Sequence, residues 1–401
     1  MTTGRADAKA MRWYEHGERS MPAALTVERL RPHLASLGIT RLARQTGLDR
    51  IGIPCFSAIR PAGLTLSVTQ GKGSNDASAM ASALMEAAEY AIAEAPECAV
   101  RIAAAAELEA EGSRIFNPRR LLPADASLPP QAPIRWVQGT LWPSGESIWL
   151  PLDALTLGGD DRDLPGISQS SNGLASGNTT EEALFHAICE LVERDATALW
   201  SLLPDAARQA SEFSPAVIDD ATAMGMSDQI AAAGLELRLF DQTTDLGVPC
   251  VMAVIRDAST ALPRRFDTAA GYGCHPVGTR AIVRAITEAA QTRITNIAGA
   301  RDDFLPAEYL EGVDDTVDFL VSAPTPEAPA PGWLALRTPV PKLLDGLAEK
   351  IGGVIDIAWA ELGGSPYGIS VVRVISSALE DRESNANWRP GRRALRVVTG
   401  S

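Results

Sequence analysis

The stretch that decides the fold runs from Ser171 to Asp195 and reads SNGLASGNTTEEALFHAICELVERD. Its beginning is polar and rich in glycine, whereas apolar residues recur at three- and four-residue spacing from Thr180 onward. This periodicity predicts a long helix over Thr180–Leu202. Glu190 and Glu193 are three residues apart, so their carboxylates lie on one face of that helix. Like charges at this spacing repel each other, and the pair therefore needs a compensating partner.

The same short pattern occurs three times in the chain. An alanine and an apolar residue precede two acidic or amide residues that are three positions apart. The copies are Ala83–Glu89 (ALMEAAE), Ala187–Glu193 (AICELVE) and Ala285–Gln291 (AITEAAQ). Each copy follows a glycine-rich segment, which we interpret as a turn that opens a helix. The other two helices are predicted over Ala77–Ala95 and Val277–Ile297.

Three polar pairs on alanine-rich helices indicate a shared ligand. The pairs are Glu86 with Glu89, Glu190 with Glu193, and Glu288 with Gln291. Hard cations bind carboxylate oxygens, and the four carboxylates of the first two pairs suit two or more Mg²⁺ ions that also hold phosphates. The alternative is a solvated helix face, which explains any single pair well but explains three recurring pairs poorly.

Residues beside the pairs offer sites for an anion. The run Ser171–Thr179 precedes a helix, and its N–H groups either cradle an anion or simply form the N-cap turn. Arg194 and Arg293 each follow a pair closely, so each either neutralises a phosphate or pairs with the acids. Lys72 is not the lysine of a P-loop, because Leu66 occupies a position that the motif reserves for glycine.

Composition and charge exclude several classes of protein. The chain has 401 residues with 36 Lys+Arg against 50 Asp+Glu, and a net charge of −14 disfavours nucleic-acid binding. Neither a membrane-spanning apolar run nor a signal peptide is expected from the sequence. The five cysteines are widely spaced without a C-x-x-C motif, which indicates a reducing compartment. We therefore expect a cytoplasmic enzyme.

Strands are predicted between and after the three helices. They lie at Ile51–Ile59, Leu64–Val68, Leu235–Asp241, Val248–Arg256, Val354–Leu362 and Ile369–Ile375, with a hairpin over Trp136–Leu150. This alternation predicts an α/β fold of the mixed α+β kind, in which three alanine-rich helices carrying Glu/Gln pairs pack on β-sheet layers.

In these segments the sequence resembles the YcaO family of ATP-dependent enzymes that modify peptide backbones. The resemblance is carried by Gly71-Lys72-Gly73 with Ala83–Glu89, by Ser171–Asp195, and by Gly273 with Ala281–Arg293. It implies the YcaO fold and a homodimer. It also divides the chain into an N-terminal helical and strand segment (1–60) that completes the nucleotide site, a YcaO domain (61–385) and a C-terminal tail (386–401).

Carried over position by position, the resemblance implies ATP and Mg²⁺ as cofactors. The implied metal ligands are Glu86, Glu89, Glu190 and Glu193. The implied nucleotide contacts are Arg19, Thr26, Lys72, Asn178, Glu182, Arg194, Gln291 and Arg293. Of these, Arg194, Gln291 and Arg293 are also expected to act in catalysis. Ser377–Glu380 departs from the motif that the family usually has near its C-terminus.

The resemblance also implies a reaction. A nucleophile adds to a peptide carbonyl, and the resulting oxyanion attacks the γ-phosphate of ATP. Leu37–Pro54 resembles the type paired with TfuA, and Arg396–Ser401 lacks the proline-rich ending common in azoline-forming members. We therefore expect a sulfide nucleophile, a thioamide product and a TfuA-like partner, acting on a ribosomal peptide or protein. Three alternatives stay open: azoline or amidine formation with another partner, a non-catalytic ATP-binding accessory protein, and a carboxylate di-metal hydrolase.

Overall fold

The computed structural model describes residues 12–14, 17–257, 264–299, 306–312, 330–335 and 343–400. The strands are β1 (Arg12–Tyr14), β2 (Gly17–Arg19), β3 (Arg41–Arg44), β4 (Cys55–Ile59), β5 (Val68–Lys72), β6 (Val100–Ala104), β7 (Pro133–Trp142), β8 (Ser147–Pro151), β9 (Leu174–Gly177), β10 (Glu212–Phe213), β11 (Glu236–Asp241), β12 (Cys250–Arg256), β13 (Thr268–Cys274), β14 (Ile357–Gly363) and β15 (Ser370–Ser376). The helices are α1 (Ala23–Leu30), α2 (Asp76–Glu94), α3 (Ala105–Ala110), α4 (Thr180–Ser201), α5 (Asp205–Ala210), α6 (Ala221–Ala232), α7 (Gly278–Ala298), α8 (Leu343–Ile351) and α9 (Arg392–Thr399).

The strands form four sheets, and every pairing between them is antiparallel. A small hairpin pairs β1 with β2, and a three-stranded sheet has the order β3-β4-β5. The largest sheet has the order β6-β7-β14-β15-β9, with β8 added to β7. A four-stranded sheet has the order β10-β11-β12-β13. The predicted mixed α+β class and the predicted long helices are confirmed.

One unit, a strand followed by a long helix, occurs three times. The units are β5-α2, β9-α4 and β13-α7, and each strand belongs to a different sheet. Each helix packs on the strand that precedes it. The alanines of the recurring pattern lie on the packed side of each helix, because Ala83, Ala187 and Ala285 are completely buried. The polar pairs therefore face away from the sheets.

Several glycines before the helices lie in strands, so their interpretation as turns is wrong, whereas Gly173 does lie in a turn, with a φ of 78°. Gly71 belongs to β5, Gly177 to β9, and Gly271 and Gly273 to β13. A Cβ at Gly71 would lie 2.1 Å from the backbone nitrogen of Ala83. The equivalent Cβ atoms at Gly177 and Gly271 would lie 2.4 and 2.0 Å from backbone nitrogens of α4 and α7. These glycines let a strand approach a helix closely.

The bounds of other strands also differ from the predicted ones. The strand predicted over Leu64–Val68 begins only at Val68, because an irregular segment precedes it and the glycine of the supposed turn continues the ladder. The predicted hairpin is confirmed as β7 and β8, and the remaining strands match within a few residues. In the described residues no helix is both long and apolar enough to cross a membrane.

Hydrogen bonds and an ion pair join the C-terminal segment to Asp195 on α4. The buried Glu380 carboxylate accepts hydrogen bonds from the backbone nitrogens of Gly391 (3.1 Å) and Ala394 (3.0 Å), which lie at the start of α9. Asp195 on α4 accepts from the Glu380 backbone nitrogen (3.0 Å) and from Arg393 Nε (2.9 Å). A buried acid thus supplies the N-terminal cap that α9 otherwise lacks.

We expect Gly271→Ala to destabilise the protein by about 1–3 kcal/mol or more, because the added methyl group would overlap the backbone of α7. Gly225→Ala in α6 is the matched control, since nothing lies within 4 Å of its Cβ position and alanine favours a helix. Denaturant unfolding of both variants measures the difference. Equal stability of the two would contradict a close strand–helix contact.

Candidate functional site

A cavity of about 740 Å³ lies between α2, α4 and α7. The three helices present equivalent positions to it. Glu86, Glu190 and Glu288 each lie eleven residues after the N-cap residue of their helix, which is Asn75, Thr179 or Val277. Glu89, Glu193 and Gln291 each lie fourteen residues after it. All six side chains line the cavity. The recurring sequence pattern therefore marks one shared site.

Burial dominates the electrostatics of Glu89 and Glu190. Loss of hydration raises the pKa of Glu89 to about 8, although two hydrogen bonds from Ser176 (2.8 Å from N, 2.6 Å from Oγ) oppose the rise. Burial likewise raises the pKa of Glu190 to about 7, against the attraction of Arg194. These carboxylates lack enough positive charge around them, and a bound cation would supply it.

The pKa values of Glu193 on α4 and Glu288 on α7 depend on neighbouring charges as well as on burial. Burial and the nearby Glu288 raise the pKa of Glu193. Burial is the largest single influence on Glu288, but Lys72, whose ammonium lies 2.5 Å from Oε2, acts together with Arg194 and Arg284 to lower its pKa. Arg194 Nη2 lies 3.7 Å from Glu193 Oε1, and its guanidinium lies over the ring of Tyr272. The cavity thus alternates carboxylates with fixed cations.

The N-terminal segment reaches the cavity through Glu182. This buried carboxylate accepts hydrogen bonds from Ser20 N (3.0 Å) and from Asn178 Nδ2 (3.2 Å). Arg19 Nε lies 3.5 Å from Glu182 Oε1. Thr26 Oγ1 donates to Asn178 Oδ1 at 3.0 Å. Four of the residues implied as nucleotide contacts therefore form one hydrogen-bonded group at the start of α4.

Three buried nitrogen atoms near this group have no hydrogen-bond partner within the described part of the chain. They are Arg19 Nη1, His186 Nε2 and Arg284 Nε, and all three residues line the cavity. Burial and the neighbouring arginines lower the pKa of His186 well below its usual value, so the imidazole is neutral. Unsatisfied buried donors are costly, and an anion such as a phosphate would satisfy them. The donor set therefore fits ATP as well as the carboxylates fit Mg²⁺.

Most of the predicted site residues come together, and one does not. The residues that line the cavity are Arg19, Thr26, Lys72, Glu86, Glu89, Asn178, Glu182, Glu190, Glu193, Arg194 and Gln291. Arg293 does not line it, because its side chain turns towards Asp49, with Nε 4.0 Å from Asp49 Oδ2. Its expected contact with the nucleotide and its catalytic role gain no support from this geometry.

Sequence reasoning missed other polar residues of the cavity. Arg284 lies four residues before Glu288, so helical spacing places it on the same face and was a usable signal. Ser176 contacts Glu89 across 87 positions of sequence, and Tyr90 lies beside the acids on α2. Burial raises the pKa of Tyr90 to about 12. The run Ser171–Thr179, expected to be a loop, contains β9, so Ser176 is held by a strand.

The acids do not form a closed metal cage. No three Asp, Glu, His or Cys side chains of the described ranges are grouped closely enough to hold one metal ion. The pairs lie on three helices around the cavity wall, and Glu86 accepts instead from the backbone nitrogen of Gln70 (3.2 Å). Mg²⁺ usually takes one or two carboxylates and completes its shell with water and phosphate oxygens. The arrangement suits a metal that arrives with a nucleotide.

The family of the chain follows from comparison with known proteins. The family model described as YcaO cyclodehydratase, ATP- and Mg²⁺-binding, matches residues 70–380. The chain therefore belongs to the YcaO family, and its cofactors are ATP and Mg²⁺. A protein of Rhizobium leguminosarum bv. trifolii, described only as uncharacterized and lying in the tfuA 3′ region, is 37% identical, with 96% of this chain and 94% of that protein covered.

Solved structures show the same fold. YcaO from Methanopyrus kandleri, bound with AMPPCP and Mg²⁺, has a TM-score of 0.69 at 20% identity, covering 96% of this chain and 99% of that one. A heterocyclase in complex with substrate and cofactor has a TM-score of 0.79 at 20% identity, covering 99% of this chain. This chain spans 56% of that heterocyclase. Family and neighbours together support ATP-dependent peptide modification as the general class of activity.

The raised pKa of Glu89 predicts how pH affects the ligand-free protein. Between its usual pKa of 4.5 and about 8, the folded protein holds a proton that the unfolded chain releases, so stability falls as pH rises. We expect Glu89→Gln, which can still accept from Ser176, to be more stable than wild type at about pH 9, by on the order of 1 kcal/mol. Near pH 4.5 the two should converge.

Denaturant unfolding across this pH range is the measurement. Glu109→Gln, which removes an exposed carboxylate of α3, is the matched control and should follow the wild-type pH dependence. A Glu89→Gln variant with that same dependence would show that Glu89 is ionised in the folded protein at neutral pH.

Proposed function

We propose that this protein activates a peptide backbone amide by transferring the γ-phosphoryl group of ATP to the amide oxygen. The observation that carries the proposal is the meeting of Glu86, Glu89, Glu190 and Glu193 around one cavity that also holds unsatisfied arginine and histidine nitrogens. Hydrolysis by a di-metal site explains the carboxylates but leaves the arginine and histidine donors without a role. A polyphosphate bound with Mg²⁺ satisfies both sets.

The proposed roles follow from position. Glu86, Glu89, Glu190 and Glu193 would hold Mg²⁺, whose charge lets carboxylates and phosphates occupy one cavity. Arg19, Thr26, Asn178 and Glu182 would bind the nucleotide at the start of α4, where they already form one group. Lys72, Arg194 and Gln291 remain beside the acids. There Arg194 would stabilise the negative charge that develops as the amide oxygen approaches phosphate.

We propose sulfide as the nucleophile and a thioamide as the product. A C–S bond forms at the amide carbon, the C–O bond breaks, and the amide oxygen leaves within inorganic phosphate. Overall, the amide, ATP and hydrogen sulfide give the thioamide, ADP and phosphate, without net oxidation. The support is the relative from the tfuA 3′ region, which suggests a TfuA-like partner. The sequence also suggests a cytoplasmic homodimer acting on a ribosomal peptide or protein.

Azoline or amidine formation is the second candidate. The heterocyclase whose fold matches with a TM-score of 0.79 favours it. In that reaction a side chain or amine of the substrate takes the place of sulfide, while the phosphoryl transfer is the same. A non-catalytic ATP-binding accessory protein is a third possibility, and the complete set of cavity acids argues against it.

We expect Glu190→Gln to abolish or strongly weaken MgATP binding, by at least one to two orders of magnitude, because a neutral amide cannot balance the metal charge. Glu181→Gln on the same helix is the matched control, since Glu181 is exposed and outside the cavity. Isothermal titration calorimetry measures both, with thermal melts to verify folding. Unchanged affinity in a folded Glu190→Gln protein would contradict a metal–nucleotide role for this acid.

The product is tested by mass spectrometry of a substrate peptide incubated with the protein, MgATP, sulfide and a TfuA-like partner. Thioamide formation replaces oxygen by sulfur and raises the mass, whereas azoline formation removes water and lowers it. We expect the increase, dependent on sulfide and accompanied by ADP. Loss of water without sulfide would select the azoline alternative, and partner-independent ATP hydrolysis with an unmodified peptide would contradict both.

A further inference from the structure

Strand β5 lies at the edge of its sheet. Its register with β4 determines which of its backbone groups point towards the outer edge. Arg60 N donates to Ser67 O (2.7 Å), and Gly73 N donates to Pro54 O (3.3 Å), at either end of the β4–β5 register. In an antiparallel pair the hydrogen-bonded positions alternate. The odd-numbered residues from 67 to 73 therefore bond to β4, while the N–H and C=O groups of Val68, Gln70 and Lys72 point to the outer edge.

This outer edge faces the cavity. Leu66, Val68, Gln70 and Lys72 all line it, and among the described strands β5 pairs only with β4. The backbone nitrogen of Gln70 donates to Glu86 Oε2 at 3.2 Å, so an edge N–H already bonds to an acceptor inside the cavity. That carboxylate oxygen occupies the place of a carbonyl from a neighbouring strand.

The edge also connects the acids with the protein surface. At its inner end Lys72 contacts Glu288, and towards the surface it leads to Leu64, which is 66% exposed. At about 3.3 Å per residue, β5 from Val68 to Lys72 spans roughly 13 Å. Edge strands are commonly protected by proline or inward charges, and the run Leu64–Gln70 contains neither.

We propose that the substrate polypeptide binds as an added strand on the outer edge of β5, with its target amide beside Lys72 and the cavity acids. The proposal rests on the proposed function, because an enzyme that acts on backbone amides needs an extended backbone at its phosphoryl donor. Strand addition recognises the main chain through hydrogen bonds and leaves side-chain specificity to pockets or to a partner. It also holds the target amide in one orientation, which favours reaction.

The test uses a pool of randomised nonapeptides, selected on the full-length protein with Mg²⁺ and a non-hydrolysable ATP analogue. Val68→Pro removes an outward N–H without removing a β4 hydrogen bond, and Val68→Ala is its matched control. We expect the selected peptides to bind Val68→Ala like wild type and Val68→Pro roughly tenfold more weakly. Hydrogen exchange at Val68 N–H and Lys72 N–H should slow when a selected peptide binds.

Copies of the selected peptides with alternate N-methylated amides provide a test that needs no variant, should Val68→Pro fail to fold. Methylation on the hydrogen-bonding side should abolish binding, and methylation on the opposite side should not. Equal binding by wild type and Val68→Pro, or no retained peptide on protein that binds MgATP normally, would overturn strand addition. Loss of MgATP binding by wild type would instead be the failure of the proposed function, so the two are distinguishable.

Discussion

The rest of the structure depends on the close approach of three strands to three helices. Gly71, Gly177 and Gly271 have no Cβ, and the alanines opposite them have the smallest side chains that a helix readily accepts. The large apolar residues that normally hold a helix away from a sheet are absent from these contacts. Each helix is therefore fixed at a short distance from its strand, and its opposite face can be polar without weakening the core.

This arrangement explains why so many carboxylates tolerate burial. The helices present their acids at equivalent positions, so the charges meet around one cavity rather than in separate places. Ser176, Lys72 and Arg194 compensate part of the charge. The remainder persists as raised pKa values at Glu89 and Glu190. In the ligand-free protein the carboxylates of the cavity thus have too little positive charge around them, and a divalent cation would supply it.

Sequence reasoning identified the helices, their polar faces and most of the cavity, because helical periodicity is a local property. It misread Gly71, Gly177 and Gly271 as parts of turns, since a glycine in a strand and a glycine in a turn have the same letter and only the opposing helix distinguishes them. Ser176 and its bond to Glu89 left no local signal. Arg293 was placed at the site by the resemblance and by its position two residues after Gln291, yet two steps along a helix rotate a side chain by about 200°.

The position of β15 has a consequence for how the chain folds. Strand β9, which leads into the acid-bearing helix α4, pairs with β15 alone among the described strands, and its residues Leu174–Gly177 bond to residues Ser370–Arg373. During synthesis β9 therefore has no partner strand until nearly two hundred later residues have been made. Such distant pairing makes folding slow and leaves an unpaired strand exposed on the way. The helix that carries Glu190 and Glu193 is thus preceded by a strand whose only described partner is made close to the end of synthesis.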